Sequence, residues 1–314
     1  SNGNLELFKL IFVGAKEKNQ KDNSGITPYY EAAMKGHFRI CEFIINNVQE
    51  KNPKTRDGYT PMCAAAGSGF FDICKLIIGN VDDKNPATVN GATPLFMAAQ
   101  NGHLEICKLI IKNVDAKNPA RTDGTTPLYI AAAYGHLDIC KLIVDNVDDK
   151  NPATVNGTTP LFIAAQSGHL EICKLIIKNV DTKNPARTDG TTPLYMAAKN
   201  GHLDICKLII DSVDDKNPAT TNGWTPLSIA ASNGHLEICK LIIKQVHDKN
   251  PATNDGTTPL FLAACNGHLE ICKLIIDVVV NKNPSKNNGA TPLSIAAANG
   301  HLEICKLIID TLLP

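Results

Sequence analysis

The sequence predicts an all-α solenoid of stacked helix–turn–helix units with hairpin-like fingers between them. Three observations carry that prediction. The dipeptide Thr-Pro occurs nine times at one constant interval, at Thr27, Thr60, Thr93, Thr126, Thr159, Thr192, Thr225, Thr258 and Thr291, and a strict period of that length is the signature of a stacked-repeat architecture. Each Thr-Pro opens a short apolar pattern of helical spacing, and a longer apolar pattern follows after a Gly. Every proline other than Pro314 lies in a Thr-Pro or an Asn-Pro motif, so none falls inside a helix, where it would delete a hydrogen bond and clash with the preceding turn.

The unit from Asn90 to Pro119 shows how each element arises. Thr93 is a good N-cap, because its hydroxyl accepts from an otherwise unpaired amide of the first turn, and Pro94 suits the first helical position, where no amide donor is needed. Leu95, Ala98 and Ala99 fall at i, i+3 and i+4 and form one apolar stripe, with the alanines permitting close helix approach. Gly102 ends this first helix as a left-handed stop. A second helix follows from His103 to Lys112. Its polar positions Glu105, Lys108 and Lys112 share one narrow face, so the remaining circumference requires cover from neighbouring helices, and one unit alone should not fold. The intervening segment Asp82–Gly91, DDKNPATVNG, holds the turn signals Asn85-Pro86 and Asn90-Gly91 and reads as a projecting finger.

The fullest statement of the unit, DGTTPLYIAAAYGHLDICKLIV from Asp123 to Val144, resembles the ankyrin repeat family, and the resemblance covers essentially the whole chain. It implies L-shaped repeats, with short first helices lining a concave face, second helices on the convex side, and binding through the fingers and exposed first-helix positions. Two departures stand out. The family usually carries His after Thr-Pro-Leu, where this chain has Tyr30, Cys63, Phe96, Tyr129, Phe162, Tyr195, Ser228, Phe261 and Ser294, which puts the usual imidazole network between loops in doubt. The family usually closes its second helix with Gly, where this chain has Asn-Val, as in Asn113-Val114. Asn can also adopt a left-handed cap.

The expected organisation is a single ankyrin-repeat domain over 1–314, with a partial repeat at 1–14 resembling a second helix and then the nine repeats. In such an array each unit packs only on its neighbours, and nine repeats at helix-packing spacing would span on the order of 80–90 Å. The opening Ser-Asn-Gly has the look of an expression leftover. Neither end shows the polar cap that repeat arrays normally need, so the chain is expected to come from a longer array or multidomain protein, with end-to-end contacts through the uncapped termini as the exception to a monomer.

Lys plus Arg and Asp plus Glu each total 31, a net charge of zero, which offers no bulk attraction to nucleic acid or anionic membrane. Apolar runs fall far short of the roughly 20 residues of a membrane helix. Of the 11 cysteines, nine recur at one repeat position from Cys41 to Cys305. Stacked helices lie about 8–10 Å apart, beyond the roughly 7 Å Cα separation a disulfide can bridge. These thiols should be free, which points to an intracellular, cytoplasmic setting; they also argue against a designed chain.

A longer period is superimposed: residues 82–147 match 148–213 at all but nine of 66 positions. The finger alternates Ala-Thr-Val-Asn-Gly with Ala-Arg-Thr-Asp-Gly, and the second helix ends alternately in Lys112, Asp145, Lys178, Asp211, Lys244 and Asp277. This charge ladder is expected to set opposite signs against each other between consecutive repeats, as a docking surface or, more simply, as a solvated face with weak pairs worth about 0–1 kcal/mol each.

His103 and Cys107 lie four apart on a helix, and the pair recurs through His301 and Cys305. Each repeat offers two ligands where zinc needs four, so a packed thiol and a structural imidazole are expected, and no metal or cofactor. Asp83-Lys84-Asn85 looks like the sites at which an asparaginyl hydroxylase modifies ankyrin repeats, but the following Pro departs from that pattern and a turn-forming Asn is the simpler reading. No nucleophile, base and phosphate loop converge, so an enzyme is not expected.

The expected role is a non-enzymatic scaffold that binds a protein partner, with a structural spacer as the alternative. The candidate contact residues are Asn90, Arg121, Asp123, Arg187 and Asp189 in the fingers, Tyr59 and Trp224 just before Thr-Pro, and Tyr134, Lys199 and Cys265 near first-helix ends.

Overall fold

The computed structural model describes residues 2–14 and 19–312. Ser1 and the closing Leu313-Pro314 lie outside them. The chain divides into two compact units, Ser1–Val155 and Asn156–Pro314, and all regular elements among the described residues are helices.

The first unit begins with the lone helix Asn2–Gly14 and continues as four helix pairs, Pro28–Met34 with Phe38–Asn47, Pro61–Ser68 with Phe71–Ile78, Pro94–Gln100 with Leu104–Lys112, and Pro127–Ala133 with Leu137–Val144. The second unit holds five: Pro160–Ser167 with Leu170–Lys178, Pro193–Lys199 with Leu203–Ile210, Pro226–Ser232 with Leu236–Gln245, Pro259–Cys265 with Leu269–Ile276, and Pro292–Ala298 with Leu302–Leu312. Within each unit a first helix packs on its own second helix and on the next first helix, while successive second helices touch more loosely. The alanines explain the difference: Leu95, Ala98 and Ala99 are completely buried, and small side chains allow the closest approach.

The local chemistry of the first helix is as its sequence predicts. Thr93 is the N-cap, its Oγ1 accepting from the Phe96 amide at 3.2 Å, with Pro94 at the first helical position. At the far end Gly102 has φ 78°, and the His103 amide donates back to Ala98 O at 2.9 Å, the 6→1 bond of a Schellman stop. His103 itself is the N-cap residue of the second helix, which therefore starts at Leu104. Ile106, Cys107, Ile110 and Ile111 are buried on that helix and Glu105, Lys108 and Lys112 are exposed.

Two expectations about the fingers are corrected. Asn113 does not enter the left-handed region; its φ is −112°. Instead its Nδ2 donates to Leu109 O at 2.8 Å, and Lys117 Nζ donates to the carbonyls of Ile111 and Val114. A lysine thus closes the helix, placing positive charge where unpaired carbonyls and the helix dipole favour it. Asn85 is also more than a turn former: its Oδ1 accepts from the Leu95 amide at 2.9 Å, satisfying a second donor at the start of the first helix. The same bond joins Asn118 to Leu128 in the first unit and Asn184 to Leu194 and Asn250 to Leu260 in the second.

Each finger closes on itself and on the next. The Thr88 amide donates to Ala92 O at 2.8 Å and the Gly91 amide to Thr88 O at 2.9 Å. Between fingers, the Thr122 amide donates to Asn90 O at 3.1 Å in the first unit, and the Thr221 amide to Asp189 O at 3.0 Å in the second. Gly91 is doubly required here: φ is +82°, and a Cβ would lie 2.8 Å from Arg121 Cα in the next finger.

Candidate protein-binding face

The recurrent His is an inter-repeat tie. His103 Nε2–H donates to Gly67 O in the preceding repeat at 3.1 Å, and His235 Nε2–H donates to Lys199 O in the second unit at 3.1 Å. The Asn two residues before it reinforces the tie: Asn101 Nδ2 donates to Gly67 O at 3.0 Å and Asn233 Nδ2 to Lys199 O at 2.7 Å. Cys107 is fully buried, and burial pushes its thiol up to about 12, so it is protonated and inert near neutral pH. Among the described residues no group of three or more potential ligands could hold a metal ion.

The charge ladder does not pair as expected. The second-helix ion pairs run within a helix at i,i+3, such as Lys108–Glu105 at 2.7 Å and Lys174–Glu171 at 2.7 Å. Among the described residues no ion pair joins Lys112 to Asp145, Lys178 to Asp211 or Lys244 to Asp277. The i,i+3 spacing sets each of these pairs on one face of its own helix.

The finger residues are engaged by the fold itself. The Arg121 guanidinium lies over the Phe96 ring at 5.1 Å, with Nη1 3.6 Å from Asp123 Oδ2. In the second unit Arg187 lies over Phe162 at 5.3 Å and 3.7 Å from Asp189, and Lys286 lies over Phe261 at 5.0 Å and 2.9 Å from Asp255. Cation–π stacking thus takes the place of the imidazole network in these junctions. A signal for it exists in the sequence. At one fixed offset, each Phe of this position is followed by a cation, Phe96 by Arg121, Phe162 by Arg187 and Phe261 by Lys286. The same offset leads from Tyr30, Cys63, Tyr129, Tyr195 and Ser228 to a Thr. Asn90 is occupied within its finger, its Oδ1 accepting from Thr88 Oγ1 at 2.6 Å.

The remaining candidates differ in availability. Tyr134, 58 % exposed, takes the place of the tying Asn at the end of Pro127–Ala133 and stacks on His136 at 6.4 Å. Lys199 is exposed. Cys265 is half-buried, and its carbonyl accepts from Asn299 Nδ2 at 2.8 Å. Tyr59 is half-buried beside Thr55.

Trp224 and Asp189 face one space. They line a concavity of about 230 Å³ together with Tyr195, Thr191, Thr220 and Ile229. Asp189 Oδ1 accepts from the Thr191 hydroxyl at 2.6 Å and amide at 3.0 Å. The Thr191 bonds, with Arg187 nearby, hold its carboxyl below the usual carboxylate value. Burial, and then the charge of Asp189, raise the Tyr195 phenol above its ordinary value. Tyr195 and Ile229 give no signal in the sequence, because each matches the repeat pattern at its own position.

The first helices present one position of half-buried apolar side chains: Met97 and Ile130 in the first unit, and Ile163, Met196, Leu262 and Ile295 in the second. No described helix is long and apolar enough to cross a membrane.

A family model of three tandem ankyrin repeats matches in overlapping stretches at residues 1–88, 71–153, 95–185, 140–219, 161–255, 213–284 and 242–312. No curated protein matches the chain. The helix pairs, their Thr-Pro caps and this end-to-end match place the chain in the ankyrin repeat family, whose repeats generally serve as protein–protein interaction modules.

Proposed function

We propose that the chain is a non-enzymatic scaffold that binds a protein partner through its first-helix face and fingers. The observation that carries this reading is the recurring half-buried apolar position, Met97 and Ile130 in the first unit and Ile163, Met196, Leu262 and Ile295 in the second. These side chains keep exposed area although the helix pairs beside them are filled, and uncharged, partly exposed apolar area bordered by polar fingers suits a protein surface. Tyr134 in the first unit and Trp224 in the second are the aromatic anchors, since large aromatics dominate interface energetics. The buried free thiols agree with a reducing, cytoplasmic setting. The protein acts as a monomer, and a single repeat domain agrees with the unbroken Thr-Pro period.

The test is to cross-link a partner to the intact chain and measure its affinity for Trp224→Ala and Tyr134→Ala. At least one should weaken binding by about 2 kcal/mol, the scale of an interface anchor. Unchanged affinity in both, with cross-links on Glu105, Lys108 and their second-helix equivalents, overturns the reading.

The near-identity of 82–147 and 148–213 favours a second reading, a spacer. A spacer tolerates deletion of one such two-repeat unit with a change of reach alone, whereas a binder loses affinity.

A further inference from the structure

The structure assigns a second kind of recognition to the second unit: the concavity between Tyr195 and Trp224 takes a basic side chain, arginine or lysine, from a partner protein. The inference rests on the partner-binding reading for the source of that side chain and on the geometry alone for its chemistry.

The chain contains one occupied version of the same arrangement, and a second that lacks the preceding carboxylate. At Phe261 the cation Lys286, from the finger after it, lies over the ring with Nζ 5.0 Å from the ring centre, and pairs at 2.9 Å with Oδ2 of Asp255 from the finger before it. At Phe162 the cation from the following finger is Arg187, at 5.3 Å. Tyr195 has the matching carboxylate in Asp189, at the position Asp255 holds relative to Phe261, but Thr220 stands where the cation would be. Thr220 is too short to cover the ring, and the space opens as the concavity.

Three features fit that space to a cation. Trp224, the only tryptophan of the chain, forms a second aromatic wall, and the face of an indole attracts cations most strongly of the aromatic side chains. Among the described residues no ring contact joins Tyr195 to Trp224, so the walls stand apart. Asp189 is the one charged residue of the lining. Its Oδ1 is taken by Thr191, while Oδ2 makes an ion pair with Arg187 at 3.7 Å, too long for a hydrogen bond. That oxygen keeps its hydrogen-bonding capacity for a guanidinium or ammonium entering between the rings. The other aromatic before a Thr-Pro, Tyr59, stands in the same relation to Tyr30, but Ser24 occupies the place of the carboxylate. The full set therefore occurs once.

The test uses the intact chain and three short neutral-ended peptides, acetyl-Gly-Xaa-Gly-amide with Xaa arginine, lysine or norleucine. The readouts are Trp224 fluorescence and the single indole N–H resonance. Saturable binding of the arginine or lysine peptide is expected, with norleucine at least about tenfold weaker. Asp189→Asn should weaken the basic peptide about fivefold or more; it should fold, because Asn90, Asn156 and Asn222 stand at the same finger position. Thr220→Arg should abolish binding by filling the space from within, as Arg187 does at Phe162. No saturable response to either basic peptide, an equal response to norleucine, or full binding by Thr220→Arg overturns the proposal. None of these results bears on the Tyr134→Ala measurement, so failure of this site and failure of the partner-binding reading are distinguishable.

Discussion

Residues 226–243 and 292–309 are the same sequence but for one position, Ser232 against Ala298, and they fare differently. In the earlier stretch Leu227 and Ala231 are fully buried and Ile243 is 4 % exposed; in the later one Leu293 is half-buried, Ala297 exposed and Ile309 44 % exposed. Ser228 is buried and Ser294 exposed, although both complete the same capping box with the preceding Thr. Local structure is therefore carried by the repeat itself, while burial is supplied by the helix pair that follows. That division is what makes a solenoid's stability a sum of repeat and neighbour terms.

Three sets of substitutions probe the comparison. The largest contrast is expected for Ile243→Ala against Ile309→Ala: the interior change should cost about 2–4 kcal/mol as a buried-volume loss and the terminal one under about 1 kcal/mol, read by urea unfolding. Equal costs would mean that the last helix pair is covered in solution. Next comes a change that should ignore position. Asn217 Oδ1 accepts from the Leu227 amide at 2.8 Å and Asn283 Oδ1 from the Leu293 amide at 2.9 Å, so Asn217→Ala and Asn283→Ala should each cost about 1 kcal/mol, as lost helix caps do. A large gap between them would show that the cap depends on neighbours after all.

The smallest effect is expected at the junction that ties the last repeat to the one before. Lys286→Ala removes the contacts to Phe261 and Asp255 and should cost about 0.5–1 kcal/mol. It should show as faster amide exchange in Leu302–Leu312 and not across the unit. The hydroxyls of Thr253 and Thr257, and then Lys286, hold Asp255 well below the usual carboxylate value. A carboxyl lowered on folding stabilises above its unfolded value and loses that contribution as pH falls through the folded one. Protection of the last repeat, taken relative to the intrinsic exchange rate at each pH, should therefore fall in acid in the parent chain, and much less in Asp255→Asn.

The elements that depend on neighbouring residues were legible in the sequence. Thr93, Pro94 and Gly102 announce where the first helix starts and stops because caps act over three or four residues. Asn85 and Lys117 look locally like turn and surface residues. Yet Asn85 bonds the amide of Leu95 across the finger, and Lys117 reaches back to the carbonyls of Ile111 and Val114. No local rule links such positions until the finger folds over. The stacking of Arg121 on Phe96 was present in the sequence as a fixed-offset correlation, visible only once the register between repeats is known.

For the candidate face, the sequence marked Trp224, Asp189, Tyr134 and Arg187 as candidate contact residues. It did not tell them apart. Packing decided that Arg187 is engaged by Phe162 while Tyr134 stands in solvent, and that Asp189 and Trp224, from successive fingers, share one concavity with Tyr195. The repeat period by itself determined the fold class, the helix boundaries and the register, because these follow from caps and apolar spacing. Which side chains are left for a partner is set by what each repeat lays over the next, and only the tertiary structure fixes that.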